Sequence, residues 1–308
     1  MPELKKIYLG VPNYRGLIEA QHHVAMLGLY HAFGSKGINP THVQPTNTIV
    51  SGARQHCVLA ALADPECSHI LWIDDDMVFT PDQVFALINE AVKHDLDYLA
   101  ALAFANSTPT KPVCFGLDRN KPEGGDVPWW YIVTNYPKDS RFRVYATGFG
   151  MVLTSTRMLR GMKGAKDMFQ WFVYPHNLCP NEDVAFCINA NKAGYKLYMD
   201  SRIKILHISK DRPLIGEELY EAQGDAIEYA LGLERNTLLA YEDSPYMVPI
   251  KDAHMKTALS RFAQIVDERD RANKAEDARN RLAKIAEPTG PIRKIYADST
   301  KNLKEVGA

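Results

Sequence analysis

His69-Ile70-Leu71-Trp72-Ile73-Asp74-Asp75-Asp76 is the segment from which the architecture of this chain can be worked out. The apolar run is too short for a helix and stops abruptly at three acids. Runs of this kind, closed by a turn signal, mark strands buried on both faces, as in parallel sheets. Adjacent carboxylates repel one another unless water or a cation compensates. On an extended strand alternate residues share a side, which groups Asp74 with Asp76 and turns Asp75 elsewhere. A hard divalent cation takes oxygen ligands, commonly one or two carboxylates completed by substrate phosphates. A solvated acidic turn is the plainer alternative; the position at a strand's carboxyl end favours the cation.

Reading outward, Thr80, Pro81 and Gln83 form a helix start, with a cap, a proline at the first helical position and a glutamine three residues after the cap. The helix runs to about Lys93 and buries Val84, Phe85, Leu87, Ile88 and Val92, and Tyr98 to Phe104 is the next apolar strand. Upstream, Lys5 to Val11 reads as a first strand that delivers a loop, Pro12 to Gly16. Leu17 to Phe33 reads as a helix, His42 to Gln44 as a short strand, and Val50 to Leu62 as a helix with Val50, Ala53, Cys57, Ala60 and Ala61 at helical spacing. The alternation predicts an α/β fold with a mainly parallel sheet and helices on both faces. In such sheets ligands sit beyond the carboxyl ends of the strands, which places the Pro12 loop and the triple aspartate on one edge.

Residues 105–142 differ. They are rich in Pro, Gly and Asn, carry Trp129 and Trp130, and read as a long irregular insertion of the kind that is usually functional or mobile. Val144 to Thr154 returns to strand character around Thr147-Gly148-Phe149-Gly150. Asn181 to Ala193 reads as a helix with Asn181 as its cap and Gly194 just past its end. Lys196 to Asp200 and Ile203 to Ile208 read as two short strands. From residue 251 the composition shifts: residues 251–308 carry net charge +4 against −5 for residues 1–250. Ala253 to Ala286 reads as a charged helix with a thin apolar stripe of Leu259, Phe262 and Ile265, and the tail beyond Pro288 as loosely ordered. Residues 1–210 are expected to form the main domain, in halves 1–104 and 105–210, and 211–308 a helical extension.

The 308 residues are 46% hydrophobic and 24% charged, enough for a sizeable core, which excludes a wholly disordered chain. The net charge of −1 offers no global field for nucleic acid or membrane. No apolar run approaches the roughly 20 residues of a spanning helix. Met1 to Val11 has no signal core, so a soluble, cytoplasmic protein without membrane insertion is expected. Five cysteines (Cys57, Cys67, Cys114, Cys179 and Cys187) stand at wide spacings with no CxxC pair, which argues for reduced structural thiols over disulfides or a thiolate zinc site. There is no GxGxxG, GxxxxGK[ST], HExxH or GxSxG, which counts against dinucleotide, P-loop, zinc-protease and serine-hydrolase chemistry.

Three further features carry chemistry. Asn181-Glu182-Asp183 opens a helix; acids there complement the macrodipole, and the same place suits a rigid general base. His207, in Ile205-Leu206-His207-Ile208, fits either a core histidine or a metal ligand. Arg15 and Arg54 are candidate diphosphate contacts, because the guanidinium fork matches phosphate.

In order, these segments resemble the GT-A glycosyltransferases, most of all their large family-2-type group. Val11-Pro12-Asn13-Tyr14 is similar to that family's first-strand loop, Ser51-Gly52-Ala53-Arg54 to its small-residue-Arg helix start, and Leu71 to Asp76 to its DxD strand, with Phe79 to Pro81 following. Gly148 to Leu153 resembles the acceptor-side glycine segment, Asn181 to Cys187 the ED motif, and Gly194 to Asp200 with His207 the continuation. Gln55 stands where the family usually has Asn, and residues 211–308 match nothing in it. The resemblance implies that Pro12, Asn13, Tyr14, Arg15, Arg54, Asp74 and Asp75 hold a nucleotide-sugar, a UDP-sugar in the first instance. It implies that Asp74, Asp76 and His207 bind Mn²⁺ or Mg²⁺, which neutralises the leaving diphosphate. Asp183 would be the base for an inverting displacement, Glu182 would orient a substrate, and Gly148, Phe149, Gly150, Trp129 and Trp130 would lie on the acceptor side.

Two other classes stand beside this one: a nucleotidyl or phosphoryl transferase, for which no triphosphate-cradling glycine loop is visible, and a silent nucleotide- or carbohydrate-binding module. The acceptor is open. Compact enzymes of this resemblance occur in bacteriophages, some acting on hydroxymethylated DNA bases within the host cytoplasm, and the +4 tail is compatible with a phosphate backbone. It is equally compatible with a solvated or oligomerising helix.

Overall fold

The structure, a computed structural model, describes residues 6–13, 16–107, 110–117, 130–162, 168–169, 180–209 and 214–223. Tyr14, Arg15, Trp129, Cys179, the charged helix 253–286 and the tail lie outside the described residues.

Strand β3 (His69–Ile73) stands near the middle of a seven-stranded sheet. The other six strands are β1 (Ile7–Gly10), β2 (Thr41–Val43), β5 (Tyr98–Leu102), β8 (Arg141–Val144), β10 (Met151–Ser155) and β11 (Leu197–Lys204). The order is β2-β1-β3-β10-β5-β11-β8, with β10 and β8 running against the other five strands. The sheet is therefore mixed and mainly parallel, as the strand–helix alternation implies. Alternate residues feed two separate cores. Tyr8, Ile70, Trp72, Tyr98, Ala100, Leu102 and Val152 enter one, which is closed by helices α2 (Val50–Ala63), α4 (Thr156–Gly161) and α5 (Glu182–Lys192). Ile7, Leu9, Leu71, Ile73, Leu99, Ala101, Met151 and Leu153 enter the other, under α1 (Ala20–Ser35) and α3 (Pro81–Lys93). Two buried faces are what continuous apolar strands require.

Local sequence explains several boundaries. Thr80 and Gln83 close a reciprocal capping box at 3.3 and 2.8 Å, with Pro81 at the first helical position. Asn181 caps α5 by accepting from the Val184 amide at 3.2 Å, and Gly194 at φ +87° takes the left-handed turn past its end. Helix α1 starts at Ala20, later than the apolar spacing suggests, because Asn13 Nδ2 donates to the Leu17 carbonyl at 2.9 Å and holds Leu17 in the preceding loop.

The 105–142 stretch is not wholly irregular. It holds β6 (Cys114–Leu117) and β7 (Trp130–Ile132), which pair with each other, β6 pairing also with β9 (Ala146–Thr147); edge strand β8 begins within it. The two short strands expected over 196–208 are one long strand, β11, with a register shift between Asp200 and Lys204, followed by β12 (Leu206–His207), which pairs with β4 (Met77–Val78). Residues 214–223, ending in α6 (Glu217–Gln223), pack on the same body, with Ile215 and Tyr220 in the core. Among the described residues no helix is long and apolar enough to cross a membrane.

Because β10 is reversed, it begins where its parallel neighbours end: Met151 pairs with Ile73, and the Asp74 amide donates to the Gly150 carbonyl at 3.1 Å. One edge therefore gathers Val11 to Asn13, Asp74 to Asp76, Phe104, Gly148 to Gly150 and His207.

Candidate active site

Arg54 lies at the centre of that edge. It comes from the first turns of α2 and is only 2% exposed. Its guanidinium meets three carboxylates. Nη1 lies 3.0 Å from Asp74 Oδ1 and Nη2 3.0 Å from Asp183 Oδ1, while Nε is 3.5 Å from Glu182 Oε1. Nη2 also donates to Asp74 Oδ2 at 3.3 Å. The Phe149 ring lies against the guanidinium, 4.9 Å from centroid to Cζ. Phe149 itself packs edge-on against Trp72 and Phe186.

This geometry places Arg54, the expected diphosphate contact, in a buried position, with its face against an aromatic ring and its nitrogens beside carboxylates. Phe149 is fully buried core beneath Arg54, not a surface on the acceptor side. Of the flanking glycines, Gly148 is partly exposed beside Asp183, whereas Gly150 is buried against Met77, Ile205 and Ala103. A Cβ on Gly148 would lie 2.6 Å from Val113 Cγ1, so glycine is what lets this loop pack against Val113; the same Cβ would be in ordinary contact, at 3.8 Å, with Asp183 Oδ2.

One cation against three acids leaves an excess of negative charge in a buried place. Burial pushes the Asp183 carboxyl up to about 8; Arg54 and the Phe149 amide oppose the rise, and Glu182 and Asp74 add to it. A carboxyl that ionises near neutrality, held at a helix N-terminus, is matched to taking a proton from a hydroxyl.

The second half of the site is more open. His207 Nε2 lies 3.0 Å from Asp76 Oδ2, and its Nδ1 lies 3.0 Å from the Phe104 carbonyl. A carbonyl can only accept, so Nδ1 carries the proton and Nε2 faces Asp76. Burial disfavours charge on both groups, but their mutual contact dominates: His207 is raised and Asp76 lowered. A carboxylate oxygen beside an imidazole nitrogen whose other nitrogen is tied to a carbonyl fits a divalent cation. Asp74 does not join them, because its carboxylate is turned to Arg54. Among the described residues no group of three or more His, Cys, Asp or Glu is placed to hold a metal. Asp75 is half-buried at the turn between the two halves.

The Pro12–Asn13 loop is buried beside this turn. Asn13 is 1% exposed, and its Oδ1 has no hydrogen-bond donor among the described residues. Trp130 is half-buried against the core on β7. Two contributors carried no signal in the sequence. His22 of α1, buried, lies with Nδ1 2.9 Å from the Met77 carbonyl and so holds the acidic turn from below. Ile208 donates to the Asp76 carbonyl at 2.8 Å from the other side.

No family model matches the chain, and no curated protein matches it. Among solved structures it is similar to A197 from STIV, at 14% identity over 80% of this chain and 98% of that one, with a TM-score of 0.45. It is also similar to GalNAc-T7 crystallised with UDP, GalNAc and Mn²⁺, at 11% identity over 68% of this chain and a TM-score of 0.40. The match spans 45% of that second chain.

Proposed function

We propose that this chain is a GT-A-like glycosyltransferase that moves a sugar from a nucleotide-sugar, a UDP-sugar in the first instance, to an acceptor hydroxyl with inversion. The observation that carries the reading is the single buried guanidinium that joins Asp74 at the end of β3 to Glu182 and Asp183 at the start of α5. It sets the DxD-like turn and the ED-like helix start against each other across one cleft, in the chain order of the resemblance.

Asp76 and His207 would hold Mn²⁺ or Mg²⁺, which supplies neutralisation of the charge that builds on the leaving diphosphate. The remaining steps belong to the chain. Asn13 offers its buried Oδ1 to an N–H of the nucleotide base. Asp183 accepts the acceptor's hydroxyl proton as the new O–C bond forms at the anomeric carbon and the bond to the diphosphate breaks. Arg54 keeps Asp183 in line and lowers the cost of its charge. Glu182, its other partner, orients the acceptor or the sugar.

The test is nucleotide release from a panel of nucleotide-sugars with Mn²⁺, repeated with acceptors that include simple saccharides and hydroxymethylated DNA. Asp183→Asn should lower turnover by at least about a hundredfold, the range of a lost general base, while donor binding persists. Wild-type turnover in that variant, or no release from any donor, would overturn the reading. Pyrophosphate release from a nucleoside triphosphate would move it to nucleotidyl transfer.

A further inference from the structure

Glu217, in the first turn of α6, makes no contact with the acidic cluster, yet its connections end at His207. Its Oε1 accepts from Tyr136 Oη at 2.6 Å and Lys138 Nζ at 2.7 Å, and its Oε2 lies 2.5 Å from Lys204 Nζ. The side chain is 14% exposed. Isolated surface pairs contribute little, but three donors converging on one largely buried carboxylate form a fixed node. Burial opposes the charge, and the three donors outweigh it, bringing this carboxyl down to about 2.

Two routes lead from this node to the imidazole. Lys204 ends β11 and stands three residues before His207, so clamping it fixes the root of β12; Gln83 Nε2 grips the Lys204 carbonyl at 2.6 Å as well. On the other route, Ile215, two residues before Glu217, exchanges two backbone hydrogen bonds with His207, at 2.8 and 2.9 Å. The Tyr136 and Tyr220 rings also close on Phe104, with centroids 6.4 and 5.3 Å away. Phe104 is the residue whose carbonyl takes the proton of His207 Nδ1.

We propose that Glu217 is a positioning residue for the site: it pins the 214–223 strap that aims His207 Nε2 at Asp76, and through His207 it sets the affinity of that pair for a divalent cation. The inference rests on the reading of Asp76 and His207 as cation ligands, and the experiment separates the two claims.

Mn²⁺ binding to the full chain is measured by titration calorimetry for the wild type, Glu217→Gln, Lys204→Met, His207→Ala and the double variant Glu217→Gln/His207→Ala. In parallel, hydrogen exchange at the His207 amide is followed without metal. Partners that orient a metal ligand typically contribute ten- to a hundredfold in affinity. Glu217→Gln and Lys204→Met should each weaken Mn²⁺ binding about tenfold and speed His207 amide exchange by a similar factor. Glu217→Gln should weaken binding no further once His207 is gone. Unchanged affinity and exchange in both single variants would overturn the proposal, and so would equal weakening with and without His207. If Glu217→Gln does not fold, Lys204→Met breaks the same node from its other end. If the wild type takes up no Mn²⁺, the cation reading falls and amide exchange alone decides the positioning claim: faster exchange upholds it and unchanged exchange overturns it.

Discussion

The Arg54 centre and the Asp76–His207 pair sit on the same sheet edge and are built on opposite plans. The first is closed: a guanidinium 2% exposed, flanked by an aromatic ring and three acids. The second is open: two side chains 39% and 18% exposed, facing each other and the cleft. The closed half fixes Asp74 and Asp183 against Arg54, and under the proposed function the open half is where the cation would be held. Pre-organised groups on rigid elements cost nothing to arrange at the moment of reaction, which under the proposed function is the advantage of having Asp183 in the closed region.

The contrast is most exposed to test at Arg54. Arg54→Met leaves the buried Glu182 and Asp183 and the half-buried Asp74 without their cation, and removing one partner of a buried ion cluster typically costs about 3–5 kcal/mol. Thermal unfolding should register a drop of that order, and a drop no larger than that of a surface arginine would mean that the centre is not closed.

A smaller effect, of opposite sign, is expected at Asp183. Its carboxyl is raised in the folded protein to about 8 from an ordinary value of 3.8. Between those values the native chain holds a proton that the unfolded chain has released, so this group's contribution to stability is present at low pH and is lost as pH rises towards 8. Activity runs the other way, since kcat/KM should climb with pH until the carboxyl is ionised. Asp183→Asn should flatten this part of the stability profile and should not lower Tm at pH 8. A wild-type stability that rises between pH 5 and 8 by the same amount in both proteins would remove Asp183 as its cause.

The smallest effect on the fold belongs to the open pair. His207→Ala removes the hydrogen bonds to Phe104 and to the half-exposed Asp76, each worth about 1 kcal/mol, while Mn²⁺ affinity should fall by about tenfold or more. A large loss of stability with no change in Mn²⁺ affinity would invert the contrast.

The two halves were not equally legible in the sequence. The triple aspartate announces itself, because three adjacent acids at the end of a buried strand repel one another until water or a cation offsets the charge. His207 shows in the sequence only as a lone histidine in an apolar strand, open to a core or a ligand reading, since its partner lies 131 residues away. Arg54 is legible as important but its carboxylate partners are not: nothing local reveals that α5, well over a hundred residues later, brings its first turn to α2. Glu217 left no trace, because its donors sit 79, 81 and 13 residues away and pair only once the sheet has closed. The strands in 105–142 were hidden for a related reason. Pieces as short as Cys114–Leu117 have too little periodicity to read, and their pairing is set by distant partners. The parallel strands β1, β3 and β5, fed by well-capped or strongly apolar segments, were readable locally.

Strand β10 also constrains how this chain can be cut and made. Its partners β3 and β5 do not pair with each other; each waits for residues 151–155 to arrive between them. A fragment that stops near residue 104 would therefore expose two unpaired strand edges at its own centre, the condition that invites intermolecular sticking. During synthesis the same gap stays open until some fifty more residues have left the ribosome. Expression trials that truncate at residue 104 should yield aggregates, and the shortest soluble piece should extend past Ser155.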